Sequence, residues 1–278
     1  MKIRSLCAVA VLLLLLTACA LAPKLPASEA PISQLPATEA PTTQPPTTAP
    51  PTTEPPTTEP PATEPEETRP EHSSFYIPGV SQEDVLSYFT EVCLDSEIVN
   101  SGDPTVIQKW VMPICYTLEG TYTQEDLEVL KTVENWLNNL EGFPGISRTE
   151  DAEQRNLRFC FCTEQEMLDL MGEEFRGTDG CVTFWYDWNN EIYEAIVCCR
   201  NDIDQTVRNS VIIEEIYNSL GPIQDTAIRP DSIIYQEYTF PQWMSDVDEL
   251  ILQLLYHPEM LPGMNAGQCE WVIREYYY

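Results

Sequence analysis

The sequence predicts one α+β domain carried behind a long polar stalk, and three observations lead there. Composition breaks sharply near residue 73, from Pro, Thr, Ala and Glu to a mixture rich in large apolar residues. Beyond the break, several segments carry apolar residues at helical spacing behind capping residues. Between them lie β-rich runs, two of which form a hairpin pattern, without a regular strand–helix–strand alternation. A mixed or antiparallel sheet packed with helices is therefore expected.

The leader occupies residues 1–18. Met1-Lys2-Ile3-Arg4 is basic, and the apolar run from Leu6 to Leu16 is too short to span a bilayer stably, which is the layout of a secretory signal. It ends in Leu16-Thr17-Ala18-Cys19, which resembles the lipobox of bacterial lipoproteins. That resemblance implies cleavage before Cys19 and lipidation of Cys19, with the acyl chains holding the protein on a membrane face. A plain secretory signal is the alternative.

Residues 19–73 form the stalk. The near-repeat "PPTTEPPTTEPP" from Pro50 to Pro61 typifies it, and large apolar residues are almost absent. Nothing there offsets the entropy of ordering the backbone, so a disordered, extended stalk is expected. At about 3.1 Å per residue of polyproline II it would reach on the order of 100 Å or more. The net charge of −31 argues against nucleic acid and against an anionic membrane surface as partners. The expected location is the extracytoplasmic face of a Gram-positive-type bacterium, with cell-wall or extracellular protein or glycan partners.

The domain spans residues 74–278, enough for one core. "SQEDVLSYFTEVC" from Ser81 opens on a capping residue and continues as a helix, and "VIQKWVMPICYTLEG" favours a strand. Thr123 caps an amphipathic helix that ends near Gly142. "NLRFCFC" alternates like a strand, and Thr163 with Glu166 makes a capping box before a helix through Met171. "CVTFWYDW" and "EIYEAIVCC" form a hairpin around Trp188-Asn189-Asn190. Asp202 or Asp204 caps the next helix, Gly221-Pro222 ends it, and two further helices flank "HPEMLPGM".

Ten cysteines become eight after loss of Cys7 with the leader and lipidation of Cys19. Cys160 and Cys162 share a strand face, whereas Cys198 and Cys199 point to opposite faces. Buried thiols, or one or two disulfides between adjacent strands, fit this pattern. A thiolate metal site lacks the paired C-x-x-C spacing of zinc knuckles.

The candidate chemistry lies in "VIIEEIYNSLGPIQD". With Val211 at zero and about 100° per residue, Glu215 falls at about 40°, Asn218 at about 340° and Glu214 at about 300°. Polar groups gathered on one arc of an apolar helix suggest a polar pocket. The spacing follows the zinc helix H-E-x-x-H-x-x-G-x-x-H, read here as Glu214-Glu215-x-x-Asn218-x-x-Gly221-x-x-Gln224. The general-base position is kept as Glu215, while each ligand position has lost its histidine. The chain holds two histidines, His72 and His257, too few for a three-histidine site. Zinc, or any other cofactor, is therefore not expected. Glu214, Asn218 and Asp225 could offer oxygen ligands to a hard cation, or line a binding pocket. The structural alternative is that Glu214 and Glu215 only cap or pair with Arg208, Arg229 or backbone donors. His257, beside Pro258, is expected at a helix end.

The same segment resembles domain of unknown function family 2927. The resemblance rests on Glu214-Glu215, Leu220-Gly221, Asp231-Ser232-Ile233, Asp248-Glu249-Leu250, Leu255-Tyr256-His257-Pro258 and Pro262-Gly263-Met264, in that order, and is strongest over residues 194–278. Two departures are Asn218 where the family usually has glutamine and Pro222 where leucine usually follows the glycine. What it implies is a zincin-like (degenerate metallopeptidase) fold whose activity is not established. The expected function is a surface lipoprotein presenting an inactive zincin-like domain for binding. The alternatives are a Glu215-dependent hydrolase with a non-histidine metal site, and a structural envelope protein.

Overall fold

The computed structural model describes residues 75–94, 105–237 and 239–278. The leader, Cys19 and the stalk with His72 lie outside the described residues, as do the boundaries drawn at residues 18 and 73.

Each helix begins at a residue able to satisfy its free N–H groups. Reciprocal capping boxes open α1 (Gln82–Cys93, Ser81 with Asp84), α2 (Gln124–Asn138, Thr123 with Asp126) and α3 (Glu164–Met171, Thr163 with Glu166). The same device opens α5 (Asp246–Leu255, Ser245 with Asp248) and α6 (Ala266–Tyr276, Asn265 with Gln268). For α4 (Gln205–Ser219), Asp204 is the cap and accepts from Thr206 N. That helix stops at Gly221, whose φ is 130°, and a Cβ there would stand 2.5 Å from Gln108 O. Only glycine fits the turn, which gives the Leu-Gly motif its reason. The helix begun at Thr123 ends at Asn138, a turn earlier than the expected Gly142.

Six strands form one sheet: β1 (Lys109–Trp110), β2 (Ile114–Gly120), β3 (Ile146–Arg148), β4 (Leu157–Cys162), β5 (Gly180–Tyr186) and β6 (Glu191–Arg200). Along its main path the order is β1-β6-β4-β2-β3, and every pairing there is parallel. β5 lies antiparallel on β6, forming the expected hairpin, with Asn190 at φ 64° in its turn. Ile192 pairs with both Trp110 of β1 and Tyr186 of β5, so β1 lies on the β4 side of β6.

Helices packed on a mostly parallel sheet make an α/β class in place of the expected α+β, with the antiparallel pairing confined to β5 on β6 among the described residues. Two features hid this. β3 is three residues long and lies in "GFPGISR", where Gly and Pro mask a strand. In β4 the apparent alternation is nominal, because its cysteines are buried along with its phenylalanines, as a central parallel strand requires.

The two faces of the sheet are unequal. Phe159, Phe161, Val182, Phe184, Ala195, Val197 and Cys199 join the main core with α1, α2, α4, α5 and α6. On the other face Cys160, Cys162, Cys181 and Cys198 pack with Met167, Leu168 and Phe175, from α3 and the turn after it. Cys198 and Cys199 thus face opposite ways. The eight cysteines at described positions are free thiols, and all but Cys115 are buried.

Candidate functional site: the carboxylates of α4

α4 lies within the main core, and its C-terminal carbonyls are met from two directions. Trp110 Nε1 donates to Ser219 O at 2.9 Å and Tyr256 Oη donates to Leu220 O at 2.8 Å. These bonds satisfy carbonyls that the helix itself leaves open. The Leu255-Tyr256-His257-Pro258 motif therefore has a structural use, since Tyr256 anchors the end of the glutamate helix.

Glu215 is buried, with 2% of its surface exposed. Gly180, at the start of β5, passes so close that a Cβ there would lie 2.8 Å from both Cγ and Oε1 of Glu215 and 2.6 Å from Val211 Cγ1. Oε2 has no hydrogen-bond partner among the described residues. Burial pushes the carboxyl well above the ordinary range, and the charges of Glu214, Cys181 and Asp225 push the same way. Burial and these neighbouring charges therefore favour the protonated carboxyl of Glu215.

Asn218 is equally buried, and neither its Nδ2 nor its Oδ1 finds a partner among the described residues. The structure thus brings Glu215 and Asn218 onto one buried stripe of α4. Glu214 and Asp225 are half-buried, and both are near enough for their charges to act on Glu215. Arg208 forms a buried pair with Asp126 of α2 at 2.9 Å, and Arg229 binds Asp231 at 2.7 Å.

The donor set does not fit a zinc helix. The three ligand positions carry Glu214, Asn218 and Gln224. His257, the described histidine, lies just beyond α5 and packs on Phe75 and Tyr276, its Nδ1 accepting from Glu259 N. Among the described residues, no group of three or more His, Cys, Asp or Glu side chains is arranged to hold a metal ion. A groove of about 300 Å³ exists beside His257, lined also by Phe75, Trp136 and Pro258, and α4 contributes nothing to it.

A second buried polar cluster escaped the sequence reading. Tyr88 Oη donates to Asp248 Oδ1 at 2.6 Å and meets Ser232 Oγ at 2.7 Å; Ser232 Oγ donates to the same oxygen at 2.7 Å. Asp248 Oδ2 accepts from Ile233 N at 2.9 Å and Ser245 N at 2.8 Å. Two motifs quoted above, Asp231-Ser232-Ile233 and Asp248-Glu249-Leu250, are thus halves of one tie. Their shared appearance was the available signal. Ser232 and Asp248 are both fully buried, and through Tyr88 the tie joins α1 to α5 within the core.

Lys109 was also passed over, although a lone lysine in an apolar strand is a signal of its own. Its Nζ donates to Leu255 O at 2.8 Å and to Met260 O, and burial lowers its pKa to about 8. The backbone completes this corner. Gly263 N donates to Ile107 O at 2.8 Å and Ile107 N to Met264 O at 3.0 Å, which fixes the Pro-Gly-Met segment beside β1.

No curated protein matches the sequence. The profile of the family described as "Protein of unknown function (DUF2927)" matches residues 82–275, from the first turn of α1 to the last turn of α6. That span is more than half of the chain, and it includes both the glutamate helix and the Tyr88–Ser232–Asp248 tie. The chain therefore belongs to the DUF2927 family of proteins of unknown function.

Proposed function

We propose that the chain is an exported lipoprotein whose domain works by binding rather than by chemistry. Lipid on Cys19 holds it to the extracytoplasmic face of the membrane, and the stalk carries the domain outward toward cell-wall or extracellular protein and glycan partners. The domain is a zincin-like scaffold that keeps the glutamate helix but not the donors of a metal site. One observation carries this reading: the general-base position, Glu215, is sealed beneath Gly180, where burial raises the pKa of its carboxyl. A general base must reach a water and give up its own proton near working pH. Glu215 is placed for neither.

The binding surface is the free end of the β5–β6 hairpin. Trp188 at its tip is 89% exposed and Tyr193 on β6 is 45% exposed. Exposed aromatic side chains offer flat apolar area with a polar edge, which suits sugars and peptides.

A hydrolase that uses Glu215 is the second reading. A carboxyl with a raised pKa is a common feature of catalytic acids, and among the described residues neither Glu215 Oε2 nor the amide of Asn218, three residues on along α4, has a hydrogen-bond partner. The test compares the purified full chain with its Glu215→Gln variant for bound metal and for peptidase activity. Binding predicts no stoichiometric metal that depends on Glu215, and no activity that the substitution removes. Peptidase activity abolished by Glu215→Gln would overturn it.

A further inference from the structure

Two helix ends meet beside His257. α2 stops at Asn138 and α5 at Leu255, and the segments that follow them touch: a Cβ on Gly142 would stand 2.1 Å from Tyr256 O. The groove of about 300 Å³ is built from both. Asn139, Leu140 and Glu141 come from just past α2, Gln253 from the last turn of α5, and His257 and Pro258 from just past it. Phe75 and Trp136 complete the wall.

The charges around this groove are one-sided. A helix C-terminus carries the negative end of the peptide dipoles, which favours a nearby cation. Neither helix has a basic residue in its last turn. Lys109 answers the end of α5 from the core side, its Nζ donating to Leu255 O, but it is buried and does not line the groove. Glu141 adds a carboxylate, and among the described residues that line the groove none is lysine or arginine. His257 is largely uncharged at neutral pH, because burial lowers its pKa; the charges of Glu259 and Glu141 oppose this and Lys109 adds to it.

The walls are aromatic. Phe75 meets His257 nearly perpendicularly with ring centroids 5.9 Å apart, and Tyr276 packs on His257 at 4.0 Å. Phe75 and Trp136 are half-buried against the main core, which holds their rings in place. The face of an aromatic ring is the negative part of its quadrupole and attracts a cation within about 6 Å of the centroid.

We propose that this groove binds a small organic cation through a quaternary or methylated ammonium group. Trp136 and Phe75 pack on the methyl groups, Glu141 supplies the counter-charge, and the end of α2 biases the field the same way. A carboxylate or phosphate ligand would meet Glu141 and a helix C-terminus with no basic partner. A bare ammonium or metal ion holds its water tightly, and apolar walls cannot replace that water. The volume, about 300 Å³, lies at the small end of ligand sites and fits one headgroup rather than a folded partner. The net charge of −31 draws cations toward the protein. Neither Trp188 nor Tyr193 lines the groove, so this site stands or falls independently of the hairpin end.

The test is calorimetric titration of the purified full chain with choline and with its uncharged isostere, in which carbon replaces nitrogen. Choline is expected to saturate a single site at least about ten-fold more tightly than the isostere, and to weaken as salt rises. Glu141→Gln should weaken choline several-fold, whereas Glu173→Gln, which removes a charge on the other face of the sheet, should not. Trp136→Leu should weaken both ligands. Glu141 is exposed, so Glu141→Gln decides the matter even if Trp136→Leu fails to fold. Absence of saturable choline binding, equal binding of the isostere, or unchanged choline binding by Glu141→Gln would each overturn the site.

Discussion

Gly180 of β5 lies directly against Glu215 of α4, so that a single added methyl would stand 2.8 Å from the Glu215 side chain and 2.6 Å from Val211. The antiparallel edge strand thereby closes over the one residue best placed for chemistry. Gly180→Ala is expected to cost about 1–3 kcal/mol of stability through overpacking. Combining it with Val211→Ala should recover part of that loss, because the two sites touch. Urea unfolding of the two single variants and the double variant measures this; full additivity would contradict it.

The buried seat of Glu215 gives a pH signature with a definite sign. The unfolded chain releases this proton near 4.5, the ordinary value, while the folded chain holds it to higher pH. Over that window the folded state binds more protons, so this group makes stability fall as pH rises, by at most about 1.4 kcal/mol per pH unit. Glu215→Gln removes the ionisation and keeps the shape. Its stability should match wild type below pH 4 and exceed it at neutral pH. Thermal unfolding across pH compares the two, and parallel curves would contradict the seat.

The Tyr88–Ser232–Asp248 tie predicts a large loss from one short side chain. Asp248→Ala leaves Ile233 N, and one of the two mutually bonded hydroxyls of Tyr88 and Ser232, without an acceptor in a buried site. At about 1–3 kcal/mol for each unsatisfied donor, the loss should be at least about 2 kcal/mol. Tyr88→Phe removes a donor rather than stranding one and should cost only about 1 kcal/mol. Denaturant midpoints for both variants check the ranking.

How much of this was legible in sequence depended on whether the signal was local. The capping residues Ser81, Thr123 and Thr163, and the hairpin around Trp188–Asn190, are short-range chemistry and appear where expected. The parallel pairing of β2, β4 and β6 joins segments far apart in the chain, and no local pattern specifies it. The arc of Glu214, Glu215 and Asn218 was visible at helical spacing. Whether it opened on a cleft or closed on a core was decided by Gly180, in another element. The same limit hid the pairing of Arg208 with Asp126.

Trp188 separates binding from stability. At 89% exposure it supports no core, so Trp188→Ala should change stability by no more than about 0.5 kcal/mol. If the hairpin end is the binding surface, the substitution should sharply reduce co-sedimentation of the full chain with isolated cell-wall fragments. Equal sedimentation of both proteins would remove the hairpin from the account.

The most direct measurement of the central claim is a carbon-13 carboxyl titration of Glu215 in the folded protein, assigned by loss of its signal in Glu215→Gln. The account predicts a carboxyl still protonated well above the ordinary carboxylate range, with a signal unmoved by one equivalent of zinc. Ionisation near 4.5, or a signal displaced by zinc, would mean that Glu215 is open to water and metal, and would contradict a domain that works by binding alone.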